Sequence, residues 1–156
     1  KKCSVVVSFQ VLEHLESPSD LFKSAQTLGE IDCKFWLSVP SDRRPSRVYS
    51  ETDYLDLPPH HITHWTHASL ESLGRKNGWS MSSLFYEPIS VKQVIWNATV
   101  RSPIYKVMRP RMKKYKWVDR FVRAVFFIPI GLATLFSKKK VSGFSMLAKF
   151  ERNVNV

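Results

Sequence analysis

The chain has 156 residues, 44% hydrophobic and 13% aromatic, with 24 Lys+Arg against 13 Asp+Glu for a formal net charge of +11. That apolar share excludes a disordered chain, and the length suits one domain or part of a larger one. The basic excess is one-sided: residues 1–91 carry 9 Lys+Arg against 11 Asp+Glu, and residues 92–156 carry 15 against 2.

The first residues, Lys1-Lys2-Cys3 followed by a short apolar run, do not read as a signal peptide, and there is no initiator Met. A fragment in a cytoplasmic, reducing setting is the expectation. Cys3 and Cys33 then read as buried small hydrophobes and not as a bridge or metal pair. Residues 4–9 (SVVVSF) form a β-branched run typical of a strand buried on both faces. Ser17-Pro18-Ser19-Asp20 marks a helix start, with Ser17 as cap and Asp20 in the place of a capping-box acid. Leu21, Phe22, Ala25 and Leu28 continue at helical spacing, and Gly29 is a plausible stop. Residues 34–39 (KFWLSV) read as a second buried strand closed by Pro40. Strand, helix and strand together predict a parallel βαβ unit with a right-handed crossover.

Residues 41–59 are polar and Pro-punctuated, the pattern of a long loop. Thr66 is placed to cap a second helix containing Leu70, Leu73 and Lys76 and ended by Asn77-Gly78. Residues 79–87 and 144–150 read as strands. Between them lies an insertion whose first half holds Arg101, Lys106, Arg109, Arg111, Lys113, Lys114 and Lys116 with no acid. Residues 124–136 carry no charge across 13 positions. As a helix they would span about 20 Å, short of the roughly 30 Å hydrocarbon core, and Pro129 and Gly131 interrupt them. A membrane span is therefore not expected. Peripheral contact with an anionic membrane through 101–136 is one reading, and a helical pair packed on the core or on another subunit is the other. Tyr105, Lys106, Tyr115, Lys116 and Trp117 could also stack bases, but no recognised nucleic-acid motif accompanies them. The expected organisation is a core at 1–91, a basic and apolar helical insertion at 92–141, and a final strand and tail at 142–156.

Four pieces stand in a telling order: VVVSFQVLEHL at 5–15, KFWLSVP at 34–40, PPHHITHWTHASLESL at 58–73 and NGW at 77–79. Together they resemble the C-terminal half of a class I S-adenosylmethionine (SAM)-dependent methyltransferase of the broad small-molecule group. The resemblance covers about residues 4–90 and, weakly, 142–151. It implies an α/β fold: a partial Rossmann-like, doubly wound sheet, mostly parallel, with the last strand antiparallel. Ligands of such sheets sit beyond the carboxyl ends of the strands. The family's Gly-rich SAM turn and its first three strands have no counterpart, since no G-x-G occurs. Glu30-Ile31-Asp32-Cys33 stands where the family usually has a Gly-Gly turn.

The resemblance places Phe9, Gln10 and Val11 beside the methionine part of SAM. It places His14, His60 and His61 on the substrate side, facing a small-molecule, glycan or lipid-linked methyl acceptor. Methyl transfer needs proximity, in-line geometry and a deprotonated nucleophile, and an imidazole can supply the base. Some ubiquinone-pathway O-methyltransferases resemble this turn, with two acids and the His holding a divalent ion. Here Gln10 replaces the first acid, so no metal is expected, and Glu13 and His14 would fix the turn by hydrogen bonds. The run of His60, His61, His64 and His67 lacks a Cys or acid to complete a tetrahedral set. The alternative to an enzyme is a degenerate half-domain that docks on a membrane surface or a partner chain.

Overall fold

The computed structural model describes residues 1–44, 57–90, 117, 120–121 and 141–153. The chain divides into two compact units, Lys1–Glu87 with Ser142–Val156, and Pro88–Val141. The basic and apolar insertion lies almost wholly outside the described residues. Of it, Trp117, Arg120 and Phe121 are helical and exposed. Among the described residues no helix is long and apolar enough to cross a membrane.

The first unit is a four-stranded sheet with two helices. In chain order these are β1 (Cys3–Phe9), a 3-10 turn (Leu12–His14), α1 (Pro18–Leu28), β2 (Gly29–Pro40), α2 (His67–Lys76), β3 (Trp79–Tyr86) and β4 (Ser145–Arg152). The sheet order is β1-β2-β4-β3. β1 and β2 pair in parallel, whereas β4 runs antiparallel to both β2 and β3. This is the expected α/β sheet with its last strand reversed.

The core lies on one face of the sheet. Phe35 on β2 meets Phe22 of α1 edge-on at 5.3 Å, and Phe150 of β4 meets the same Phe22 ring at 5.2 Å. α2 comes in over Phe150, and so closely that a Cβ on Gly74 would lie 2.4 Å from that ring. Both helices therefore converge on the same aromatic cluster, which also takes in Leu12, Leu37, Leu70, Trp79 and Met146.

Several local expectations change. β1 is not buried on both faces: Val5, Val7 and Phe9 are 50%, 56% and 59% exposed, because the core with α1 and α2 occupies the opposite face. Residues 30–33 are not a loop but the first part of β2, with a register shift against β1 between Cys3 and Val5. Ser17 makes no side-chain cap bond. Its hydroxyl turns instead to Asp20, whose carboxyl is held below the usual range by Lys23 and then by that hydroxyl. Gly29 ends α1 in extended backbone and not in a left-handed cap. A Cβ there would lie 2.6 Å from Cys33 Sγ, so close approach is what requires glycine. Thr66 caps α2 as expected, accepting from Ser69 N while Ser69 Oγ accepts from Thr66 N.

The two cysteines differ. Cys33 is buried as expected, but Cys3 is exposed, and both are free thiols. Burial pushes the Cys33 thiol up, away from the reactive thiolate. A thiol-counting reagent should therefore react fast with one group per native chain, Cys3, and with a second only after unfolding. Two fast thiols in the native protein would contradict the packing of Gly29 on Cys33.

Candidate functional site at the carboxyl edge of the parallel strands

β1 and β2 end on the same edge, and the chain leaves β1 by an unusual turn. Gln10 has φ +53°, the left-handed region that side chains other than glycine and asparagine seldom adopt. Two bonds hold it there: Gln10 N donates to Ser38 O at 2.9 Å, and Gln10 Nε2 donates to Ser38 Oγ at 3.0 Å. The turn thus locks the end of β1 to β2. Phe9, Gln10 and Val11 are all exposed at this edge.

The chain then tightens into the 3-10 turn at Leu12–His14. Leu12 enters the core, and this rotation carries Glu13 inward and His14 outward. The segment after the cis Pro58–Pro59 peptide folds back over the turn. Ile62 N and Thr63 N both donate to Glu13 O, at 2.9 and 3.1 Å, and Thr63 Oγ1 donates to Leu12 O at 3.4 Å. Glu13 thus fixes the turn by hydrogen bonds, as expected, through its main-chain carbonyl. His14 contributes a further strap, with Nδ1 bonded to the carbonyl of His60.

Three chemical groups meet here. The rings of His14 and His61 lie 5.0 Å apart at 61°. Nε2 of His14 is 3.9 Å from Glu13 Oε1. Glu13 is 1% exposed, and neither carboxylate oxygen has a hydrogen-bond partner. One ligand atom from each of Glu13, His14 and His61 falls within 4.8 Å of the others, so this trio could hold a metal ion. Of the four histidines in the HHxxHxxH run, His61 alone joins this group among the described residues. His60 contributes its backbone, His64 lines a neighbouring cavity, and His67 begins α2.

That cavity, of about 280 Å³, opens beyond the end of β2 between residues 40–44 and 63–66. Its wall includes Arg44, a charged side chain only 5% exposed. Next to it Arg43 stacks over the Tyr86 ring at 4.0 Å. Burial, and then the charge of Asp42, raise the Tyr86 hydroxyl above its ordinary pKa. Sequence reasoning missed this group. The signal was there in Asp42-Arg43-Arg44, three charges directly after a buried strand.

No protein-family model and no curated protein matches the chain. Solved structures do. The complex between the Haloferax volcanii Trm112 methyltransferase activator and a candidate methyltransferase matches with a TM-score of 0.53 at 10% identity, covering 97% of this chain and 54% of that one. A candidate sarcosine dimethylglycine methyltransferase from Galdieria sulphuraria matches at 0.48 and 15% identity, over 96% and 53%. A candidate methyltransferase from Bacillus halodurans matches at 0.46 and 13% identity, over 96% and 64%. The chain spans about half the length of the first two of these structures. The sheet with its single reversed strand thus has the fold of part of a methyltransferase such as that of the Haloferax volcanii complex.

Proposed function

We propose that the chain is the later half of a SAM-dependent methyltransferase that transfers a methyl group to an oxygen of a small-molecule, glycan or lipid-linked acceptor. The observation that carries this reading is the Gln10 turn, pinned to Ser38 at the carboxyl edge of two parallel strands, where ligands of such sheets bind. Phe9, Gln10 and Val11 would form one wall of the SAM site. The Gly-rich turn and the acid expected of the other wall would come from strands that precede this chain. SAM itself supplies the activated methyl group. What these residues would add is placement and a base: His14, 47% exposed, is oriented by the His60 carbonyl, and His61 flanks it. Titrating SAM into a polypeptide that includes the preceding strands tests the reading, with binding expected there.

The role of the basic region is a second proposal. The 15 Lys+Arg against 2 Asp+Glu of residues 92–156 favour peripheral contact with anionic lipid, as an amphiphilic acceptor would need. Co-sedimentation with anionic vesicles, weakening as salt is raised, is the expected result. Equal sedimentation with neutral vesicles would remove the electrostatic contact.

A further inference from the structure

The cavity beyond the end of β2 is held open by bonds on both sides. Its 40–44 wall is tied to the start of β4. Ser41 N donates to Phe144 O at 2.8 Å, Ser142 N donates to Arg43 O at 2.9 Å, and the hydroxyls of Ser41 and Ser142 bond at 2.6 Å. Its 63–66 wall is tied to the turn that carries His14, through Thr63 N on Glu13 O, and to α2 through the Thr66 cap. The cavity is therefore preformed, as ligand pockets usually are. Its volume of about 280 Å³ is close to the lower limit of such pockets, roughly 300 Å³, and takes one ring-sized group.

The wall chemistry selects the kind of ring. Asp42 and Arg44 bring one charge of each sign, and Arg44 is 5% exposed. A ligand charge would be attracted by one and repelled by the other, and would lose its hydration for no net gain. Two wall residues also carry buried polar atoms of opposite need. Trp65 Nε1 can only donate and the Asp42 Oδ1 of a carboxylate can only accept, and neither has a hydrogen-bond partner among the described residues. A hydroxyl accepts and donates through one oxygen, so a ring bearing several can serve both without carrying charge. Pro40 and Trp65 add apolar surface to the same wall.

We propose that this cavity binds a neutral, polyhydroxylated ring of the methyl acceptor, a sugar residue. The acceptor then belongs to the glycan class. The methyltransferase reading is needed for the sugar to be an acceptor, and not for the sugar to bind.

Saturation-transfer NMR on the 156-residue chain tests this with glucose, galactose and mannose against glucuronate and glucosamine. At least one neutral hexose should give saturable transfer, and the two charged sugars should bind about tenfold more weakly or not at all. Asp42→Asn removes the negative charge at nearly constant shape, so glucuronate should gain about tenfold relative to the neutral hexose. A merely structural role of Asp42 would not change the order of the sugars. Trp65→Phe should weaken the hexose by about 2–10-fold, the loss of one hydrogen bond. Asp42→Asn alone decides the matter should Trp65→Phe not fold. Adenosine, the hydroxylated part of SAM, should not compete. Absence of transfer to every neutral hexose, an unchanged order of sugars in Asp42→Asn, or displacement by adenosine would overturn the proposal. SAM binding by the longer polypeptide alongside any of these would remove the sugar site and leave the methyltransferase reading standing.

Discussion

Phe35→Ala is expected to lower the stability of the sheet unit by about 3–5 kcal/mol, the range for removing a large aromatic from a packed core. Phe35 is 0% exposed and lies within the ring cluster on which α1 and α2 converge. It meets Phe22 of α1 at 5.3 Å, Trp79 at the start of β3 at 5.6 Å and Phe150 of β4 at 6.1 Å. The surrounding rings cannot collapse into the space, because Phe150 is itself pressed by the α2 backbone at Gly74. A loss of this size is comparable to the whole stability of many domains, so the denaturant midpoint should fall far or the transition vanish. Phe85→Ala is the contrast. Phe85 is 54% exposed with its ring stacked on Trp36, and its loss should shift stability by only about 1 kcal/mol. Equal effects of the two substitutions would mean that the core does not lie on the α1–α2 face.

His14→Ala, made in the longer protein, is expected to lower turnover by about 10²–10⁴-fold while SAM affinity holds. The residue sits on the 3-10 turn after β1, outside the contacts that pin Gln10, so the wall formed by Phe9, Gln10 and Val11 should survive its loss. The backbone strap of Ile62 and Thr63 on Glu13 O should survive as well, which keeps the fold intact. Turnover and SAM binding measured on one preparation separate the two roles. Unchanged turnover would remove His14 from the chemistry, and a parallel loss of SAM affinity would make it part of the cofactor wall instead.

Much of the fold could be read from residue patterns. The β-branched run before Phe9 and the KFWLSV run gave the two parallel strands, and Thr66 gave the start of α2. The failures share a physical cause, since each depended on contacts distant in sequence. One face of β1 is exposed because both helices gather on the other, and no alternation in SVVVSF reports that. The resemblance put Glu30-Ile31-Asp32-Cys33 in the place of a turn, yet Glu30 and Asp32 lie on an extended, solvent-facing part of β2. At the site, Glu13 and His14 were recognisable from the LEH turn. The left-handed backbone of Gln10 was not, because glutamine is no turn marker and the bonds to Ser38 that hold it come from 28 residues away. Nor could the sequence choose His61 over its neighbours, since that choice is made by the backbone turn that gives the His60 carbonyl to His14.

We propose that this chain completes a SAM site begun by preceding strands. Isothermal titration of SAM into the polypeptide with those strands, and into the 156-residue chain alone, addresses it most directly. The account predicts saturable one-to-one binding by the longer protein and at least tenfold weaker binding, or none, by the chain alone. Absence of SAM binding by the longer protein would contradict it, and would leave the half-domain as a docking module.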